Sequence, residues 1–245
     1  MNIVAKTSVG KVRQNNQDDM SYGKLGLKDS YAVVCDGMGG MAGGEVASSV
    51  AVGIITDKIK SSYRENMSSR SIKNSLQSAV IAANAAVLNR ANDEPELTGM
   101  GTTAVAVMVV DGVANIAHAG DSRAYKISGG EICQITKDHT FVQELFDLGK
   151  ITKTQMKRDS RKHIITRALG AEDSISVDYC EEDLRDSDVI LICTDGLTNL
   201  VDDDEILSIY EQLGFDCFAS KLVDTANEYG GTDNVTVVAM KYQED

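Results

Sequence analysis

Three aspartates stand at the ends of apolar runs. Asp36 follows Tyr31-Ala32-Val33-Val34-Cys35, Asp195 follows Val189-Ile190-Leu191-Ile192-Cys193-Thr194, and Asp233 precedes Asn234-Val235-Thr236-Val237-Val238. A carboxylate so placed is fixed by a strand yet emerges at a sheet edge, and the glycines after Asp36 and Asp195 permit close backbone approach. Brought together, such acids repel one another unless a cation neutralises them. All-oxygen ligands select hard cations, here Mg²⁺ or Mn²⁺, and the scattered cysteines and histidines argue against zinc. The chain carries neither a G-x-S-x-G nucleophile elbow nor a G-x-x-x-x-G-K-[ST] nucleotide loop. Taken singly, an aspartate beside a strand is more often a turn or cap residue. The chemical reading therefore rests on several of them acting as a set.

The elements that must position this set are short and β-rich. Apolar runs predict strands at Tyr31 to Cys35, Thr102 to Val110, Val113 to Ala119, Arg123 to Ile127, Ile132 to Thr136, Val189 to Cys193 and Val235 to Met240. Asp111-Gly112 and Gly129-Gly130 are hairpin turn signals, so consecutive strands pair antiparallel. Helical periodicity marks Val46 to Ile55 and Ile72 to Val87, and later Asp204 to Leu213 and Asp216 to Tyr229, the last closed by Gly230-Gly231. Helices thus flank strands in blocks, which predicts an α+β layered sandwich rather than a doubly wound sheet.

Composition excludes several classes. The 245 residues are 42% hydrophobic and 25% charged, with no run long enough to span a membrane. A net charge of −13 repels phosphate backbones and anionic headgroups, which argues against nucleic-acid and membrane partners, and 5% aromatics leave few stacking platforms. Five widely spaced cysteines without a C-x-x-C pair read as reduced thiols, and the start Met1-Asn2-Ile3-Val4-Ala5-Lys6-Thr7 lacks a signal peptide. The expected location is the cytoplasm.

Six blocks occur in order along the chain: Val12 to Asp18, Asp36-Gly37-Met38-Gly39-Gly40, Gly101-Thr102-Thr103, Gly120-Asp121-Ser122-Arg123, Thr194-Asp195-Gly196-Leu197 and Gly231-Thr232-Asp233-Asn234. Together they resemble the type 2C (PPM) metal-dependent Ser/Thr protein phosphatases in their compact bacterial form, over residues 1 to 242. The resemblance implies one domain, 1–245, built as a four-layer α-β-β-α sandwich. Two antiparallel sheets are flanked by helix pairs, a dinuclear metal cleft lies at one end, and a flap is inserted at about 138–187. It implies two Mn²⁺ or Mg²⁺ ions per chain and a third, weaker site. By position, Asp36 matches the bridging ligand and Gly37 a carbonyl ligand, while Asp195 and Asp233 complete the other metal. Asp18 matches the carboxylate holding metal-bound waters, and Asp121 with Asp195 the third site. Arg13 matches the phosphate-binding arginine, whose planar fork fits two phosphate oxygens.

The implied activity is hydrolysis of phosphoserine and phosphothreonine in proteins by in-line attack of a metal-bridging hydroxide. The implied partners are phosphoprotein substrates and a cognate bacterial Ser/Thr kinase, with the enzyme a monomer. Two other readings are a phosphatase dedicated to one anti-sigma-type regulator and a non-catalytic relative that binds phosphoproteins. Ligand integrity favours activity, since Arg13 and the aspartates are all present.

Departures from the family pattern carry expectations of their own. Gln17 stands where many relatives have Glu, which weakens the anionic set. The glycine loop has Met38 and Met41 where relatives often have a histidine, so a metal-bound or Asp-held water is expected to protonate the leaving group. His118, His139 and His163 are expected to be structural. Glu45 reads as a first-turn charge on a helix dipole, and Asp202 to Glu205 as a helix start. Within the flap, the stretch from Lys150 to Arg167 carries Lys150, Lys153, Lys157, Arg158, Arg161, Lys162 and Arg167 against the single acid Asp159. This basic patch in an acidic chain is expected to favour anionic substrates.

Overall fold

The computed structural model describes residues 1–40 and 43–244. In chain order the elements are β1 (Asn2–Ser8), β2 (Asp18–Lys24), β3 (Ser30–Met38), α1 (Gly43–Ser62), α2 (Ser69–Asp93), β4 (Gly101–Thr102), β5 (Ala104–Val110), β6 (Val113–Ala119), β7 (Arg123–Ser128) and β8 (Glu131–Gln134). They continue with α3 (Phe141–Asp147), α4 (Lys153–Arg158), β9 (Asp178–Asp183), β10 (Val189–Cys193), α5 (Asp195–Thr198), α6 (Asp203–Leu213), α7 (Phe218–Glu228) and β11 (Val235–Lys241).

The strands form two antiparallel sheets, ordered β1-β11-β10-β7-β8 and β2-β3-β5-β6-β9, with β4 paired to β3. Alternation along each strand explains the layering. On β3, Ala32 and Val34 face the other sheet while Val33 and Cys35 face the helices. On β10, Ile190 and Ile192 face the other sheet while Val189, Leu191 and Cys193 face the helices. Strands buried on both faces must read as continuous apolar runs, which is why these were visible in the sequence. Helices α1 and α2 cover the second sheet through Ala47, Ile55, Leu76 and Ala83, and α6 and α7 cover the first through Ile206, Phe218 and Leu222. The result is the expected four-layer α-β-β-α sandwich.

Local signals hold at most ends. Ser68 caps α2 by accepting from the Ser71 N–H, Asp202 caps α6 by accepting from Glu205, and Glu45 sits in the first turn of α1. The two hairpins turn at Asp111-Gly112 and Gly129-Gly130, all four residues with positive φ. The run expected as one strand, Thr102 to Val110, is broken at Thr103, whose N–H and hydroxyl turn to the backbone of Asp36. Strands β1, β2 and β9 lie at sheet edges and half expose polar sequences such as Asp178-Tyr179-Cys180-Glu181-Glu182-Asp183, so no apolar run announces them. The segment expected as an insertion at about 138–187 contains α3 and α4, and its last part joins the second sheet as β9. Among the described residues no helix is long and apolar enough to cross a membrane.

Candidate metal centre

At one end of the sandwich the two sheets bring their aspartates together. Asp36 lies near the end of β3, directly opposite Asp18 in the β2–β3 register. Asp195 opens α5 immediately after β10, Asp233 precedes β11, and Asp121 occupies the turn between β6 and β7. Arg13, Asp36, Gly37, Asp121, Asp195 and Asp233 line one cleft of about 640 Å³, together with Gln17, Met38, Lys162, His163 and Asn199. Asp18 is buried at 8% exposure, and one of its oxygens accepts from the Thr194 hydroxyl at 2.9 Å.

The backbone of Asp36 is held on three sides. Its N–H donates to Thr103 Oγ1, and its carbonyl accepts from the Thr103 N–H and the Thr102 hydroxyl, each at 2.9 Å. Thr103 Oγ1 also meets Ser122 Oγ at 2.7 Å, which ties the Asp36 strand to the turn carrying Asp121. Gly37 can only be glycine, because a Cβ there would collide with the carbonyls of Gly44 and Gln17. The Gln17 amide donates to the Gly40 carbonyl at 3.2 Å, a contact that a carboxylate could not make. Met41 of the same loop lies outside the described residues.

Two asparagines complete the scaffold. Asn234 accepts from the Gln17 N–H at 2.8 Å and donates to the carbonyls of Val9 and Asn15 at 2.9 Å, so it fastens the segment bearing Arg13 beside Asp233. Asn199 donates to Asp195 Oδ2 at 2.9 Å and accepts from Lys162 Nζ at 3.1 Å. Arg13 Nη2 donates to Asp233 Oδ2 at 2.8 Å. In the sequence Asn234 appeared only as the tail of a block. Asn199 gave one signal, its i+4 spacing from Asp195 on a short helix.

The electrostatics of the set are unfavourable as it stands. Burial, and then Asp195 and Asp233, push Asp18 up to about 7 despite the lowering hydrogen bonds of Thr236 and Thr194. Burial, Asp195 and Asp138 push Asp121 up to about 7. Burial and the surrounding carboxylates hold Asp36 well above the ordinary carboxylate range, and burial with Asp233 raises Asp195. Asp18 Oδ1 and Asp121 Oδ1 are buried without a hydrogen-bond partner among the described residues. A buried carboxylate oxygen without a donor is costly unless protonated or bound to a cation. The donor set is all oxygen and strongly anionic, which fits hard divalent cations.

The three histidines separate. His163 lines the cleft, whereas His118 and His139 are buried at 3% and 6% exposure and stack on each other outside it. Of the cations between β8 and β9, Arg161 is committed within that segment, paired with Asp159 at 2.7 Å and lying over the Phe141 ring. Lys153 and Lys157 line a second cavity of about 270 Å³ that adjoins the cleft and shares Asp121, Lys162, His163, Asp195 and Asn199 with it.

Comparison with known proteins meets this geometry. The family model for protein phosphatase 2C matches residues 7–236. The serine/threonine phosphatase stp of Listeria innocua is 36% identical over 246 residues, covering 98% of this chain and 96% of that protein. The crystal structure of the Mycobacterium tuberculosis serine/threonine phosphatase PstP/Ppp superposes with a TM-score of 0.90 at 34% identity, covering 99% of both chains. The catalytic domain of PstP in complex with 2 manganese ions superposes with a TM-score of 0.86 at 34% identity, covering 99% of this chain and 98% of that one. With the ordered blocks, the four layers and the carboxylate cleft in agreement, this chain belongs to the protein phosphatase 2C family.

Proposed function

We propose that the chain hydrolyses phosphoserine and phosphothreonine in proteins, using two Mn²⁺ or Mg²⁺ ions bound in the cleft. The observation that carries this reading is the convergence of Asp18, Asp36, Asp121, Asp195 and Asp233 beside Arg13, with two buried carboxylate oxygens unsatisfied. Asp36, the Gly37 carbonyl, Asp195 and Asp233 would hold the two ions, Asp18 their waters, and Asp121 with Asp195 a third, weaker one. Bound there, divalent cations neutralise the acids and lower the pKa of water from about 15.7 toward about 7.

The chain's own groups do the rest. Arg13 stands at the cleft rim, where its planar fork matches two phosphoryl oxygens and orients the ester. Cleft water would give up a proton to carboxylate-held water as its oxygen bonds to phosphorus, the bond to the serine or threonine oxygen would break, and that oxygen would receive the proton, leaving the alcohol and inorganic phosphate. Thr102, Thr103, Asn199 and Asn234 keep the acids in place without reacting. The test is phosphate release from a phosphoserine peptide. Turnover should appear with Mn²⁺ and vanish on exhaustive chelation, and turnover that survives chelation would overturn the reading.

Arg13→Ala is expected to raise KM for a phosphopeptide roughly 10- to 100-fold, since hydrogen bonds to charged groups contribute about 1.5–3 kcal/mol. Mn²⁺ affinity should hold or improve, because Asp233 loses a competing cation. An unchanged KM with a large fall in Mn²⁺ affinity would contradict this role.

The reading extends to a protein partner of opposite sense, a Ser/Thr kinase, and to a monomeric cytoplasmic enzyme. Five free cysteines and the acidic chain suit that setting. The segment between β8 and β9 would act as the flap over the cleft. Its Lys153 and Lys157 supply positive field where a phosphoprotein enters. Replacing both by glutamine should lower kcat/KM on phosphoproteins about 10-fold, more at low salt, while sparing p-nitrophenyl phosphate. Equal losses on both substrates would remove the flap from substrate selection.

A further inference from the structure

His139 stands at the root of the segment between β8 and β9, and it is bonded in every direction. Its N–H donates to the Gly120 carbonyl at 2.9 Å, and its Nδ1 accepts from the Gly120 N–H at 3.1 Å. Its carbonyl accepts from the Thr166 N–H at 2.8 Å, at the far end of the same segment. An accepting Nδ1 carries no proton, so the proton is on Nε2, which donates to Asp178 Oδ2 at 3.1 Å. Arg167 Nη1 in turn donates to Asp178 Oδ1 at 2.7 Å and lies 3.1 Å from His139 Nε2, so it fixes that carboxylate against the ring. The chain thus runs from Arg167 through Asp178 and His139 to Gly120, whose next residue is Asp121.

A cation site at His118, His139 and Asp178 is the other use of this cluster, since one ligand atom from each lies within 4.8 Å of the others. The ring geometry argues against it. The imidazoles stack with centroids 4.7 Å apart and planes 8° from parallel, so their in-plane lone pairs lie in separate parallel planes. No single ion sits in both. The Arg167 guanidinium already neutralises the only carboxylate of the trio.

What the cluster does hold is a turn that needs holding. Gly120 has φ +112°, and a Cβ there would strike the Thr103 side chain. Both backbone groups of Gly120 end on His139, while Asp121 lines the cleft and keeps a buried oxygen without a partner among the described residues. The segment rooted at His139 also delivers Lys162 and His163 to the cleft wall.

We infer that His139, oriented by Asp178 and Arg167, is a positioning residue. It fixes the Asp121 carboxylate to the root of the flap and so sets the affinity of the third cation position. The inference rests on the reading of Asp121 as a ligand given under the proposed function. His139 acts beside the Arg123–Asp138 ion pair, which ties the following strand to the same root at 2.7 Å, but among the described residues only the His139 bonds reach Gly120 itself and so carry a shift of the flap root to the Gly120-Asp121 turn.

The test compares His139→Gln with His139→Asn by direct Mn²⁺ titration of the protein, following free Mn²⁺ by electron paramagnetic resonance. Asparagine places an acceptor near the Nδ1 position and keeps the Gly120 bond, while glutamine reaches toward Asp178 and abandons Gly120. His139→Gln should weaken the weakest Mn²⁺ site about 10- to 100-fold, the range for a lost supporting contact to a ligand, and leave the two tight ions in place. kcat at saturating Mn²⁺ should return, and His139→Asn should recover most of the affinity. Should His139→Gln fail to fold, Asp178→Asn at a half-exposed carboxylate must weaken the same site. A structural role alone would lower thermal stability in each variant and move no isotherm, and that result would overturn the inference. A wild-type protein that binds only two Mn²⁺ would instead remove the Asp121 site itself.

Discussion

Asp36→Ala should lose at least about 10³-fold in kcat at saturating Mn²⁺, beyond the ~10²–10³ that one electrostatic contact is worth in other enzymes. Asp36 is the acid whose pKa is raised by all four others, Asp18, Asp195, Asp121 and Asp233, after burial. In the proposed pair Asp36 is the shared ligand, so its removal would take a ligand from both ions. Its backbone is held by Thr102 and Thr103 whatever the side chain, so the fold survives the change. The cation-free variant should even be more stable than wild type, because a repelled buried charge is gone. Stability gained with activity lost is the expected signature of a strained functional site. Near-normal turnover of Asp36→Ala would show that the dinuclear assignment is wrong.

The second large effect is a reversal of pH dependence by the metal. Asp18 and Asp121 sit at about 7 in the folded cation-free chain, against an ordinary 3.8. Raised carboxylates mean that the folded chain binds more protons than the unfolded one. Their contribution to stability is therefore present at low pH and is lost as pH rises through about 7. The buried His118 and His139, both lowered by burial, act in the opposite sense at the acid end. In the unfolded chain they are half protonated near pH 6.5, so they oppose the carboxylates weakly at the start of this range and drop out above about pH 7.5, while the two carboxylates set the net slope. Cation-free protein should thus melt at lower temperature at pH 8 than at pH 6.5. Mn²⁺ should raise Tm at both and by more at pH 8, since protons no longer compete for the ligands. A cation-free Tm that climbs over this window, or a Mn²⁺ increment independent of pH, would contradict the account of the cleft.

The sequence made the interior strands and the acids at their ends legible for one reason. A strand buried on both faces is a continuous apolar run, and an aspartate that interrupts such a run stands out. Val189 to Cys193 followed by Asp195 is the plainest case. Edge strands give no such contrast, and β2, Asp-Asp-Met-Ser-Tyr-Gly-Lys, is recognisable only from its pairing with β3. The supporting residues were hidden for a different reason. Asn234 acts on Val9, Asn15 and Gln17 from more than 200 positions away, and His139 acts on a glycine 19 positions back. Such bonds follow from the closed topology of the sheets, and local periodicity does not encode them. The histidines show the same limit. All three read as isolated side chains, yet His163 reaches the cleft wall while His118 and His139 form a buried stack.

The most direct measurement of the central claim is a calorimetric titration of chelator-stripped protein with Mn²⁺, with phosphoserine peptide hydrolysis followed at each step. Two tightly bound ions per chain are expected, hydrolysis rising as the second fills, and both lost in Asp36→Ala. Full hydrolysis at one ion per chain or fewer, or an Asp36→Ala isotherm that matches wild type, would contradict a paired-cation centre built on these aspartates.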